Sequence, residues 1–130
     1  MLRKTQIVLL TLLGAAMWAF VTFQIKSHPE ASLDTTRGLI GFITAPIVGF
    51  LSVRLCKAVG RLSPEQILPG VSVVGAVAMM MDGAALQWFS GLYGFNEKAL
   101  RLSAAGLLWG YGVAFAAAVI WVAWLQRKTA

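Results

Sequence analysis

Asp82 is the residue of this sequence best suited to do chemistry, because it is an acid inside a long apolar stretch. The stretch runs from Val71 to Tyr93, and Asp82 lies near its middle. An acid at the centre of a lipid bilayer costs about 2.5 to 3.5 kcal/mol by insertion scales, and such residues mark ion and proton pathways. Asp82 is therefore the first candidate functional residue.

Two interpretations of Asp82 stay open. In the first, desolvation favours the protonated carboxyl, which is hydrogen-bonded to Tyr111 or Thr44 and shuttles a proton or binds a cation. In the second, it is a neutral, satisfied polar group that fixes helix register. A rise of ~1.5 Å per residue brings Thr44, Trp109 and Tyr111 to the depth of Asp82, so we predict a polar site from these four residues. By the same rise Arg54 lies roughly 10 Å away, too far for an ion pair.

The composition is that of an integral membrane protein. Of the 130 residues, 58% are hydrophobic and 12% are charged, against about 25% charged in soluble domains. The formal charge is +6, but the bases flank the apolar runs, which predicts contact with anionic lipid and not with nucleic acid. One Cys and one His leave too few ligands for a disulfide framework or a metal centre.

The hydropathy pattern predicts an all-α fold, an integral membrane four-helix transmembrane bundle in one domain, 1–130. The spans are expected at about residues 5–25, 37–57, 68–93 and 101–125, near the roughly 20 residues that cross a bilayer. The first span resembles a signal peptide. However, Trp18, Phe20 and Phe23 stand where a cleavage site needs small residues, which favours an uncleaved span.

Basic residues divide unevenly between the two sides of such a bundle. The side of the termini carries seven: Arg3, Lys4, Arg54, Lys57, Arg61, Arg127 and Lys128. The other side carries four: Lys26, Arg37, Lys98 and Arg101. The positive-inside rule therefore predicts that both termini are cytoplasmic, an N-in/C-in topology that an even number of spans permits.

Small residues recur every four positions on the second and fourth spans, a pattern that lets helix backbones approach closely. We predict that they pack the spans within one bundle, with dimerisation as the alternative. The predicted packing residues are Gly41, Ala45 and Gly49 on the second span and Gly106, Gly110 and Ala114 on the fourth.

Pro46 and several polar residues predict local features of the helices. Pro46 lacks an N–H and should free the carbonyl of Phe42, which must then find a partner within the bundle. Asp34 or Thr35 is suited to cap the second helix, and Asn96 the fourth. Aromatic residues at the end of the third span are predicted to form an interface belt; they are Trp88, Phe89 and Tyr93.

Three segments of the second half of the chain form a recognisable pattern: Leu68-Pro69-Gly70, Met81-Asp82-Gly83 and Leu107-Leu108-Trp109-Gly110-Tyr111-Gly112. This pattern resembles that of a family of small bacterial four-helix integral membrane proteins, a domain-of-unknown-function type. The first half is similar only in hydropathy. The resemblance implies four spans and interest in Asp82, Trp109 and Tyr111, and it supplies no activity.

The sequence contains no nucleophile paired with a base and no phosphate-binding glycine loop, so we predict no enzymatic activity and no cofactor. We expect a multi-pass protein of the bacterial cytoplasmic (inner) membrane, acting as a non-enzymatic accessory or stress-related subunit. The alternative is a proton- or cation-coupled small transporter or channel with Asp82 as its coupling residue. The expected partners are the lipid bilayer and either a second copy of the chain, as a homodimer, or another membrane protein.

Overall fold

The computed structural model describes the backbone of residues 1–130 and every side chain except that of Ser32. Four α-helices make up most of the chain: α1 (Lys4–Ser27), α2 (Thr35–Gly60), α3 (Ile67–Trp88) and α4 (Glu97–Thr129). Short 3-10 helices lie in the three connections, at Pro29–Ser32, Pro64–Gln66 and Ser90–Leu92. The described residues form no β-strand, and the all-α prediction is confirmed.

All four helices are long and apolar enough to cross a membrane. The third ends at Trp88, before the predicted limit at residue 93, because Phe89 leaves the helical conformation with φ −132° and ψ 44°. The 3-10 helix Ser90–Leu92 then redirects the chain. As a result Tyr93 is buried against the bundle, where a continued helix would have carried it away.

Side-chain caps begin α2 and α4 where the sequence predicts them. The Oδ1 atom of Asp34 accepts hydrogen bonds from the backbone N–H groups of Thr36 (2.9 Å) and Arg37 (3.2 Å). The Oδ1 atom of Asn96 accepts one from Ala99 N–H (2.9 Å). Both predictions are confirmed, and each cap satisfies N–H groups that the first helical turn leaves without a partner.

Helices that run in the same direction pair most closely, α1 with α3 and α2 with α4. At the first crossing, a Cβ atom on Gly14 would lie 2.9 Å from the carbonyl oxygen of Val74. At the second, a Cβ atom on Gly49 would lie 3.2 Å from Ala114 Cα. The absence of side chains on these two glycines therefore allows the backbones to touch.

Both chain termini lie at the same end of the bundle. Gln66 at the start of the third span donates a hydrogen bond to the carbonyl of Met1 (2.9 Å). The contacts of Trp109 with Phe42 and of Trp121 with Phe50 show that α4 runs alongside α2 in the same direction, so α4 also ends on this side. We call the half at this end the terminal half and the half at the Pro29–Ser32 and Ser90–Leu92 turns the loop half. The main apolar core extends from the terminal half and includes the fully buried Leu10, Val53 and Ile67.

Gln6 closes the terminal half through neutral hydrogen bonds and is 3% exposed. Its Nε2 donates to the carbonyl of Gly60 (3.0 Å) and to Oε1 of Gln66 (3.1 Å). Its Oε1 accepts from the backbone N–H of Arg3 (2.8 Å). One amide thus satisfies a carbonyl at the end of α2 and links the N-terminus to the start of the third span.

Candidate functional site

Asp82 lies inside the loop half of the bundle and is 5% exposed. Gly75, Ala78 and Ala85 on the same helix are buried with it, whereas Met79 is exposed. The buried face of α3 therefore directs the acid into the bundle among small side chains.

Two tyrosine hydroxyls bond to the two oxygens of the Asp82 carboxyl. Tyr93, from the connection after α3, donates to Oδ1 at 2.6 Å. Tyr111, from α4, donates to Oδ2. The prediction that Tyr93 belongs to an interface belt is wrong, because Tyr93 is 1% exposed. The acid therefore joins α3 to both the following connection and α4.

Trp18 on α1 orients the hydroxyl of Tyr93. Its Nε1 donates to the Tyr93 oxygen at 3.1 Å, and an indole N–H can only donate. The Tyr93 oxygen thus accepts a hydrogen bond from Trp18, and this bond directs the Tyr93 hydroxyl proton to Asp82. Burial, together with the hydrogen bond to Asp82, raises the pKa of Tyr93, so the hydroxyl keeps its proton.

Tyr93 and Trp18 are not among the four site residues predicted from the sequence, although one signal pointed to Tyr93. A buried carboxyl needs hydrogen-bond donors for both oxygens, and polar donors are few in an apolar chain. The sequence holds two tyrosines, and the structure brings both of them to Asp82.

Hydroxyl groups, and not bases, surround the acid. Among the side chains that the structure describes, no Lys, Arg or His forms an ion pair with Asp82; the pairs present join Arg37 to Glu30 and to Asp34 at the exposed loop surface. Hydrogen bonds from hydroxyls stabilise a carboxylate but leave its net charge in place. The charge of an ionised Asp82 therefore has no counter-charge in contact with it.

The geometry accommodates both protonation states of Asp82. When the acid is ionised, both oxygens accept from tyrosine hydroxyls. When Oδ2 carries a proton, it donates to the Tyr111 oxygen, while the Tyr93 bond to Oδ1 is unchanged. The two states differ only on the Tyr111 side of the carboxyl.

A cavity of about 260 Å³ lies beside Asp82 and is lined by residues of all four helices. Among the described residues of its wall, Asp82 is the one with a charged side chain, and most of the others are apolar. Gly106 and Gly110 form part of the wall, and a Cβ atom on either would meet no atom within 4 Å. The missing side chains on α4 therefore leave open space next to an acid.

The predicted packing residues fall into three groups in the structure. Gly49 and Ala114 form the close crossing of α2 and α4. Gly41 faces no neighbouring atom within 4 Å. The remaining three, which line the cavity, are Ala45, Gly106 and Gly110.

Thr44 is not brought to Asp82, although the two residues were predicted to share a depth. The Thr44 hydroxyl donates to the carbonyl of Ile40 on its own helix (2.8 Å) and is exposed. Both residues are described, and their side chains form no hydrogen bond with each other. Depth along the bundle does not determine which side of a helix a residue occupies, and Thr44 lies on the outer side.

Trp109 also lies outside the acid's surroundings, where it satisfies a backbone carbonyl. Its Nε1 donates to the carbonyl of Phe42 at 3.0 Å, and its ring stacks on that of Phe42 with centroids 5.3 Å apart. This is the carbonyl that Pro46 leaves without a helical donor. The predicted partner within the bundle is confirmed, and it is Trp109.

Comparison of the chain with protein-family models, curated proteins and solved structures finds no match. The resemblance of its second half to small four-helix membrane proteins of unknown function stays a prediction. The candidate site is therefore defined by its own geometry: a buried acid, two tyrosines and an adjoining cavity.

Proposed function

We propose that the protein is a small, non-enzymatic transporter or channel of the bacterial cytoplasmic membrane in which Asp82 binds a proton or a cation. The observation that carries the proposal is the placement of a buried acid, bonded to hydroxyls and to no base, in the wall of a cavity lined by all four helices. Intramembrane acids in such surroundings mark ion and proton pathways. A purely structural polar group would not need the adjoining space.

Proton uptake in this proposal occurs on the Tyr111 side of the carboxyl. Trp18 and Tyr93 keep Oδ1 as an acceptor, so the proton binds to Oδ2. Tyr111 lines the cavity, and its hydroxyl turns toward the open space when it accepts from Oδ2. The exchange needs the rotation of one hydroxyl and no helix movement.

Both termini are cytoplasmic in this proposal. The support is the larger number of bases on the side of the termini, together with the positive-inside rule. Asp82 then lies in the outer half of the membrane, with the compact terminal half between it and the cytoplasm. A reporter fused after Ala130 that is active only in the cytoplasm tests this topology.

The proposal is tested by flux measurements in proteoliposomes that contain a pH-sensitive dye or, for cations, a membrane-potential dye. We expect Asp82→Asn to lower gradient-driven proton or cation flux by about tenfold or more, the equivalent of about 1.4 kcal/mol. The matched control is Glu97→Gln, which neutralises an exposed acid at the start of α4. Equal flux in Asp82→Asn and wild type, or no flux in wild type, would contradict the transport proposal.

Infrared difference spectra test proton binding separately from transport. In difference spectra between an acidic and an alkaline buffer, we expect a carboxyl band that is lost in Asp82→Asn and retained in Glu97→Gln. Identical spectra for wild type and Asp82→Asn would show that Asp82 does not take up a proton. Together with absent flux, co-purification of a larger partner in mild detergent would then favour the accessory subunit.

A further inference from the structure

The cavity beside Asp82 combines one charged group with apolar and aromatic walls. The carboxyl lies in its wall, the rings of Trp18, Tyr111 and Phe115 line it, and the rest is largely aliphatic. Its volume of about 260 Å³ is just below the roughly 300 to 1,000 Å³ of typical small-molecule pockets. A fitting ligand is therefore small, mostly apolar and positively charged.

The number of oxygen ligands in the cavity favours an organic cation over an inorganic one. Hard metal ions need about six or more oxygen ligands to replace their water. The cavity wall holds four side-chain oxygens, fewer than six: two of the Asp82 carboxyl, the Tyr111 hydroxyl and the Ser52 hydroxyl, which donates to Val48 on its own helix. An organic cation carries its own apolar shell, and it needs only a counter-charge and aromatic faces.

We propose that this cavity binds a small hydrophobic organic cation of the quaternary ammonium class, with Asp82 as its counter-charge. The inference rests on the proposed function and names the cargo of that site. The cation occupies the space that Gly106 and Gly110 leave open on α4. The rings of Trp18 and Phe115 contact its alkyl groups.

The test is isothermal titration of the purified protein in detergent with tetraethylammonium. We expect saturable binding to wild type that weakens about tenfold or more in Asp82→Asn, as loss of a close counter-charge predicts. Gly110→Leu, which fills the cavity, should weaken binding to a similar degree. Gly112→Leu is the matched control, because Gly112 also faces open space and lies outside the cavity wall.

A series of tetraalkylammonium ions on wild type tests the same inference without any substitution. Affinity should rise from tetramethylammonium to tetraethylammonium and then fall for chains too long for the cavity. Heats no larger than those of empty micelles, or affinity that rises steadily with chain length, would overturn the proposal. Displacement of tetraethylammonium by an equal concentration of Na⁺ would also overturn it and indicate an inorganic cation site.

The two levels of the proposal fail separately. If tetraethylammonium does not bind but Asp82-dependent flux persists, the cargo class is wrong and the proposed function stands. If both binding and flux are absent, the proposed function falls as well.

Discussion

Gln6 and Asp82 are buried polar side chains in opposite halves of the bundle, and their hydrogen-bond partners differ in kind. In the terminal half the group is Gln6, a neutral amide whose partners are backbone groups and another amide. In the loop half it is Asp82, an acid whose partners are hydroxyls. A neutral amide fixes helix positions without a charge to bury, whereas an acid adds a desolvation cost that favours a functional explanation.

Packing around the glycines follows the same division. In the terminal half the space above Gly60 and Gly70 is filled by Leu62 and Leu10. In the loop half the space beside the cavity-lining glycines of α4 is open. Gln6 lies outside the cavity wall and therefore serves the stability of the fold. Asp82 borders the cavity and is therefore accessible to a ligand.

The largest expected effect compares the same truncation in the two halves. Leu10 is fully buried, and Leu10→Ala should lower the free energy of unfolding by about 2 to 3 kcal/mol, toward the low end for buried leucines. Part of the transfer cost is absent because lipid is itself apolar. Leu107→Ala, in the cavity wall, should cost less than about 1 kcal/mol. Unfolding curves in mixed micelles check both, and equal losses would remove the difference in packing.

Substitutions of Gln6 and Asp82 should also differ in their effect on the free energy of unfolding. Gln6→Leu removes the donor to the Gly60 carbonyl and should lower the free energy of unfolding by about 2 kcal/mol. Asp82→Asn keeps an acceptor for one tyrosine and a donor for the other, so we expect a change below about 1 kcal/mol. The same unfolding experiment measures both variants. A larger loss for Asp82→Asn than for Gln6→Leu would assign Asp82 a structural role.

The two tyrosines bonded to Asp82 should have different roles: Tyr93 contributes mainly to stability and Tyr111 mainly to flux. Tyr93→Phe removes a fully buried donor and leaves the Trp18 N–H without its acceptor, which should lower the free energy of unfolding by about 1.5 kcal/mol. Tyr111 lies in the cavity wall. Tyr111→Phe should therefore lower the free energy of unfolding by less than Tyr93→Phe does, but it should slow proton exchange at Asp82. Unfolding curves and proteoliposome flux, measured on both variants, test this prediction. Equal losses of stability and equal flux in the two variants would contradict it.

The smallest expected effect concerns a single methyl group. Gly110→Ala enters open space and should raise the free energy of unfolding by about 0.5 kcal/mol, because alanine loses less backbone freedom than glycine. Gly70→Ala should lower it, since the new Cβ would overlap the buried Leu62 side chain. Thermal unfolding in detergent shows the two signs, and a loss for Gly110→Ala would indicate that the space is not open.

The helical fold was predictable because apolar runs of membrane-crossing length and capping side chains such as Asp34 and Asn96 are local signals. The acid was predictable for the same reason. Tyr93 was not, because its burial depends on the helix ending at Trp88 and on the turn that follows. Gln6 was not either, since its partner Gly60 lies far along the chain and only helix packing brings them together.

The contact between Trp109 and the Phe42 carbonyl has a further consequence for α4. Trp109 and Tyr111 are two positions apart, so they point about 200° apart around a helix with 3.6 residues per turn. One bonds to α2 and the other to α3. Turning α4 about its axis would break both bonds and leave the Phe42 carbonyl without its donor. By freeing this carbonyl, Pro46 gives Trp109 a hydrogen bond that opposes rotation of α4.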